Sequence, residues 1–345
     1  MIDNRMGDSG MEDKENYLST LNERQLDAVT TTEGYVRIIA GAGTGKTKAL
    51  THRYAYLVNE LGISTSNILC VTFTNKAARE MSKRIRQMIG DSDTGYICTF
   101  HGFCVKLLRE DIHAINFPQN FVVMDDEDTE EILKTVYENA HIQSRTYTFD
   151  SARDHITAMK SQMLHIPYLA EIGNEKLLAD YEKAEKVEDK VFLGYLYEQK
   201  KVYGLDYDDL ITIALYILQT DETKRIKWQE RMMYVMVDEF QDVSSSQYAL
   251  AEILSGYHRN LFIVGDPDQT IYTWRGAQIE YILEFDETHE NTRTIFLDMN
   301  YRSTPEILAV SNSLIEKNKK RLPHRLEAYK ESGRRPIYTF QDDRG

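Results

Sequence analysis

The chain has 345 residues, 42% of them hydrophobic with only 6 prolines, enough for more than one folded domain with a sizeable core. Its net charge of -14 gives no general attraction for nucleic-acid phosphate, so such a partner has to be met by a local basic surface; acids concentrate between Asp111 and Asp189, bases between Lys317 and Arg335. Cys70, Cys98 and Cys104 lack zinc-ligand or disulfide spacing, no apolar run reaches bilayer length, and Met1 to Asn16 has no signal-peptide core, so a reducing, cytoplasmic setting without a membrane partner is expected.

Residues 1–18 read as a mobile tail. The apolar run Tyr35-Val36-Arg37-Ile38-Ile39 then enters Ala40-Gly41-Ala42-Gly43-Thr44-Gly45-Lys46-Thr47, and a helical pattern follows. In that context backbone N–H groups converge on phosphate oxygens at a helix N-terminus. Lys46 is placed to reach the outer phosphates and Thr47 to hold Mg²⁺. Ala40 departs from the strict pattern, which has glycine there. The loop predicts a nucleoside triphosphate and leaves kinase, GTPase and motor open.

Further short apolar runs end directly in polar clusters. Residues 69–71 lead into Thr72-Phe73-Thr74-Asn75, residues 96–98 into Thr99-Phe100-His101, residues 234–237 into Asp238-Glu239-Phe240-Gln241-Asp242, and residues 261–264 into Gly265-Asp266-Pro267-Asp268-Gln269. These predict buried parallel strands whose carboxyl ends line one rim of an open sheet. Helical patterns lie between them, such as Ala77, Ala78, Met81, Ile85 and Met88 on one face with Lys83, Arg84 and Arg86 on the other. From Asp111 onward the chain becomes acid-rich and helical, an inserted subdomain. The amphipathic pattern resumes near Leu205. A strand at 294–297 enters Asn300-Tyr301-Arg302-Ser303, where a second domain is expected to begin.

The chemistry can be read from the strand ends. Asp238 occupies the position at which phosphate-loop enzymes place a metal-holding aspartate, and Glu239 is suited to deprotonate an attacking water, which favours hydrolysis over transfer to a hydroxyl. Gln269 can sense the terminal phosphate. Tyr272 and Trp274, beside Arg275, offer flat faces on which exposed bases stack, each stack being worth ~1–3 kcal/mol.

With these segments in order, the chain resembles a superfamily-1 DNA helicase of the UvrD, Rep and PcrA group. Residues 21–29, Leu-Asn-Glu-Arg-Gln-Leu-Asp-Ala-Val, resemble the family's glutamine motif; Thr72 to Ala78 and Thr99 to Phe103 resemble its two single-strand motifs; 238–242 and 265–277 resemble its metal and coupling motifs; Asn300 to Thr304 resembles its fourth motif. The resemblance implies that Gln25 reads the adenine edge, Phe73, Asn75 and His101 contact single-stranded DNA together with Tyr272 and Trp274, Tyr301 stacks on adenine, and Arg302 meets the γ-phosphate. Lys48 stands where the family usually has arginine, losing planar stacking while keeping charge.

The fold so implied is α/β: a RecA-like phosphate-loop parallel sheet (19–110 and 197–297) with an inserted helical subdomain (111–196) and the start of a second RecA-like domain (298–345). Nothing resembling the family's fifth and sixth motifs occurs before Gly345, and residues 336–340 read as a strand without a following helix. The expectation is therefore the N-terminal half of a 3′ to 5′ ATP-dependent DNA helicase acting in repair or replication restart. It is expected to bind ATP and Mg²⁺ with slow hydrolysis, to engage single-stranded DNA and its junctions with duplex, and to be monomeric. The alternatives are a non-motor single-strand-binding or regulatory module, and the motor half of a helicase-nuclease.

Overall fold

A computed structural model of the chain describes residues 17–90, 93–273 and 276–333. The tail expected at 1–18 falls outside these residues except at its end, where the Tyr17 hydroxyl donates to Glu60 Oε1 at 3.3 Å. The strand expected at 336–340 also lies outside them. Contacts divide the chain into a unit formed by residues 100–229 and a unit formed by the chain on either side of that segment.

The first unit begins with α1 (Glu23–Thr30), which opens on a capping box: the Asn22 side chain accepts from the Gln25 N–H, and the Gln25 side chain accepts from the Asn22 N–H. Then come β1 (Tyr35–Ala40), α2 (Lys46–Asn59), β2 (Ile68–Val71), α3 (Asn75–Ile89) and β3 (Tyr96–Cys98). Thr74 caps α3 by accepting from the Ala77 N–H, which sets the point where the strand-end cluster turns into helix.

The second unit is mostly helical: α4 (Phe100–Asp111), β4 (Val122–Val123), α5 (Asp126–Asn139), α6 (Phe149–Ser161), α7 (Glu175–Lys183), α8 (Val187–Lys201), β5 (Gly204–Leu205), α9 (Tyr207–Thr220) and α10 (Glu222–Arg231). It contains the acid-rich stretch 111–196. α4 packs against α9, and both helices bury continuous apolar faces that include Phe103, Leu107, Leu210 and Ala214. Composition marks where acids begin, whereas a domain boundary falls where such packing ends. A separate core of Leu133, Val136, Leu177, Val191 and Leu196 joins α5, α7 and α8. Inside this unit Lys160 is fully buried, with its Nζ 2.5 Å from Asp206 and 2.8 Å from Asp209.

The chain then returns to the first unit with β6 (Tyr234–Val237), α11 (Ser245–Ser255), β7 (Leu261–Gly265) and β8 (Arg293–Leu297). The sheet is all parallel in the order β3-β2-β6-β7-β1-β8, with Ile38 opposite both Val264 and Ile295, and Val71 opposite Val237. Helical crossovers cover both faces, so β1, β2, β6 and β7 are buried nearly end to end, which explains their uninterrupted apolar runs. One polar residue breaks the pattern. Arg37 in β1 is buried and neutralised by Asp286 at 2.7 Å, with further bonds to the carbonyls of Ile282 and Leu283. β8 closes the sheet beside β1, and the chain continues to β9 (Met299–Asn300), α12 (Pro305–Ile315) and β10 (Glu327–Ala328), the last pairing in parallel with β9.

Candidate nucleotide site

The strand order brings the carboxyl ends of β1, β2, β6 and β7 to one edge, because all four run the same way and are neighbours in the sheet. β1 ends at Ala40 and releases the loop from Gly41 to Gly45, after which Lys46 opens α2. Gly43 (φ 78°) and Gly45 (φ 91°) lie in left-handed backbone. Space is restricted as well: a Cβ on Gly43 would meet Arg302 Cβ at 2.7 Å, and one on Gly45 would meet Gln25 Nε2 at 2.6 Å. Thr44 is buried and donates from its hydroxyl to the Gly41 carbonyl at 2.8 Å, so the turn is braced from within.

The loop is held from two sides. Gln25 Nε2 donates to the Thr44 carbonyl at 2.9 Å. With Gln25 Oε1 already accepting from the Asn22 N–H, these bonds leave one amide hydrogen and one lone pair of Gln25 unused. From the other side Asn300 donates to the Ala42 carbonyl, and the Tyr301 N–H donates to the Gly43 carbonyl at 2.9 Å. Asn300 Oδ1 accepts from the N–H groups of Arg302 and Ser303, which turns the chain so that Arg302 passes next to the phosphate loop with its side chain exposed. The Tyr301 hydroxyl accepts from Asn22 Nδ2 at 2.6 Å, and its ring lies 5.0 Å from that of Tyr329.

Across the edge, Asp238 is buried and pairs weakly with the Thr72 hydroxyl through Oδ2 at 3.4 Å, while its Oδ1 has no partner. Burial, with the neighbouring Glu239 charge added to it, pushes the Asp238 carboxyl up to about 6. A buried carboxylate oxygen without a donor, in the same cavity as Thr47, is the arrangement a hard cation with oxygen ligands fits. Glu239 has φ 50° and ψ 46°, left-handed backbone that is unusual for a residue with a Cβ. Its Oε2 is 3.1 Å from Lys46 Nζ and accepts from Gln241 Nε2 at 3.0 Å.

A cavity of about 340 Å³ joins these groups to an aromatic pair. Thr47, Asp238, Glu239, Asp242 and Gln269 line it together with Phe73 and Tyr272. The two rings are stacked, with centroids 4.8 Å apart and planes 23° from parallel.

The same segments match a protein-family model. Residues 21–290 fit the model described as UvrD/REP helicase N-terminal domain. The chain belongs to the UvrD/REP helicase family. Among curated relatives, it is 38% identical over 322 residues to ATP-dependent DNA helicase PcrA of Staphylococcus aureus (strain Mu50), covering 93% of this chain and 43% of that protein. It is likewise 38% identical over 307 residues to PcrA of Staphylococcus epidermidis (strain ATCC 12228), covering 89% of this chain and 41% of the relative. The chain thus spans well under half the length of the relatives it matches.

Within this UvrD/REP framework, the structure groups Gln25, the loop from Ala40 to Thr47, Asp238, Glu239, Tyr301 and Arg302 around the phosphate loop. Gln269 lines the cavity but turns its amide onto Asp266 in its own loop. Asn75 is exposed at the start of α3. His101 belongs to the helical unit, where its ring meets Tyr207 edge-on at 5.4 Å and burial lowers its pKa. Trp274 lies outside the described residues. Gln241 was not singled out from the sequence. Its single amide donates to Glu239 and Asp242 and accepts from the Asp266 N–H at 2.9 Å, tying the end of β6 to the end of β7. An amide flanked by acids at 239 and 242 is the sequence signal for such a bridge.

Proposed function

We propose that this chain binds Mg²⁺-ATP and hydrolyses it slowly, the reaction that in an ATP-dependent DNA helicase of the UvrD/REP family drives movement along single-stranded DNA. The observation that carries this reading is one cavity lined both by Thr47, Asp238 and Glu239, the last paired with Lys46, and by the stacked Phe73 and Tyr272. An enzyme that couples a nucleotide to a base-stacking surface needs both in one connected site.

In this reading the loop from Gly41 to Gly45 cradles the phosphates, and Thr47 with Asp238 holds Mg²⁺, which neutralises phosphate charge when bound. Phosphate competes with Glu239 for Lys46. Displacement of that ion pair frees the carboxylate to accept a proton from water, so the base is released as the loop fills. Gln269 senses the terminal phosphate, Gln25 and Tyr301 hold the adenine, and Arg302 meets the γ-phosphate. Phe73, Asn75 and Tyr272, with His101 and Trp274, contact single-stranded DNA. Residues 298–345 begin a second RecA-like domain, and the direction of movement is 3′ to 5′ by family likeness.

The test is Mg²⁺-ATP binding and DNA-stimulated hydrolysis by the wild-type chain, Lys46→Ala and Glu239→Gln. Lys46→Ala is expected to lose nucleotide binding. Glu239→Gln should keep it while hydrolysis falls by about 10²–10⁴-fold, the range for removal of a general base. Wild-type hydrolysis that survives Glu239→Gln would overturn the assignment.

A further inference from the structure

The helix that leaves the aromatic pair has an outer face that the nucleotide site does not use. In α3, Lys76, Arg79, Lys83 and Arg86 are all exposed and recur at helical spacing. At 100° per residue they fall within a narrow arc, opposite the buried Ala78, Met81 and Ile85. Among the described residues none of the four has an acidic partner or donates to another side chain, although the whole chain carries a net charge of -14. Glu80 and Arg84 lie off the stripe and line the cavity instead. Helix stabilisation does not account for the pattern, since only Arg86 stands in the last turn where a cation complements the dipole.

We infer that this stripe is a phosphate track for single-stranded DNA, continuing the path of a strand whose bases stack at Phe73 and Tyr272. The inference rests on the DNA reading proposed above and adds a surface to it. Three features favour a nucleic-acid backbone over other polyanions. The stripe starts one turn from the aromatic pair, so stacked bases and neutralised phosphates belong to one ligand. It extends about 15 Å at 1.5 Å per residue, the reach of a few nucleotides. Its cations are long, exposed and without an acidic partner among the described residues, which suits contacts that follow a backbone without reading bases.

The experiment is the salt dependence of binding of a fluorescent oligothymidylate to the 345-residue chain. For single strands the slope of log K against log salt is about -0.7 per neutralised phosphate, so Lys83→Gln/Arg86→Gln should flatten it by about 1.4 and weaken binding at low salt about tenfold. The charge-preserving pair Lys83→Arg/Arg86→Lys should keep the wild-type slope. Phe73→Ala should weaken binding with the slope unchanged, because stacking releases no counterions. An unchanged slope in the glutamine pair overturns the stripe and leaves the aromatic site standing. Equal loss in the charge-preserving pair also overturns it, by assigning the effect to packing. If the wild-type chain binds Mg²⁺-ATP but no oligonucleotide, the stripe and the DNA reading both fall.

Discussion

Glu239 concentrates the chemistry of the site in one residue. Its left-handed backbone aims the carboxylate at Lys46, and the conformation is kept by the bonds from Lys46 and Gln241 and by the Asp242 N–H donating to the Glu239 carbonyl at 3.0 Å. An L-residue with a Cβ pays roughly 1–2 kcal/mol for this conformation, and glycine does not. Glu239→Gly is therefore expected to raise the stability of the nucleotide-free chain by about 0.5–1 kcal/mol in urea unfolding while abolishing hydrolysis. A destabilised glycine variant would show that the side-chain bonds outweigh the backbone strain. The acids at 238 and 239 were legible because they follow an apolar strand directly. The strain at 239 was not, since the sequence does not reveal a dihedral angle held by Lys46 in α2 and by Gln241, itself tied to the Asp266 N–H.

At the scale of elements, the helical unit contains a charge cluster that periodicity misreads. Lys160 follows Ala152 and Ile156 on the buried face of α6, at a position where the pattern calls for an apolar residue. It is held there by Asp206, which caps α9, and by Asp209, the partner in that capping box; the Tyr195 hydroxyl also donates to Asp206 at 2.8 Å. Burial, reinforced by the Asp206 charge, raises the Asp209 carboxyl to about 7, while Lys160 keeps Asp206 below the usual carboxylate range against the same burial. Lys160→Met leaves two buried carboxylates without their cation and should cost about 3–5 kcal/mol. Adding Asp206→Asn and Asp209→Asn should recover much of that loss while keeping the cap, as measured by urea unfolding of the single and triple variants. If the triple variant is no more stable than Lys160→Met, packing rather than charge explains the defect. The amphipathic pattern near Leu205 was legible in the sequence, but the joint hold of Asp206 and Asp209 on Lys160 depends on helices distant along the chain.

For the whole molecule, the division into two units has a thermodynamic consequence. The cluster around Val36, Ile38, Cys70, Met236 and Val264 belongs to the sheet unit, and the cluster around Leu133, Val191 and Leu196 to the helical unit. Calorimetry is expected to resolve two transitions, with Mg²⁺-ATP raising only that of the sheet unit, by about 2.7 kcal/mol at a hundredfold excess over Kd. Leu196→Ala should lower only the other. A single transition moved equally by both changes would refute this.

The sequence by itself determined the glycine-rich loop after β1, the strands that end in Thr72, Asp238 and Asp266, and the adjacency of the acids Asp238 and Glu239 at a strand end. These rest on local physics, namely the apolar run of a buried strand, the turn that glycine permits and the cap that starts a helix. Only the tertiary structure decided the order β3-β2-β6-β7-β1-β8, which brings Lys46 and Glu239 together across 193 residues, stacks Phe73 on Tyr272 and extends the helical unit beyond its acidic segment. Those features depend on which strands become neighbours and which helix faces meet, and side-chain packing between distant segments selects them.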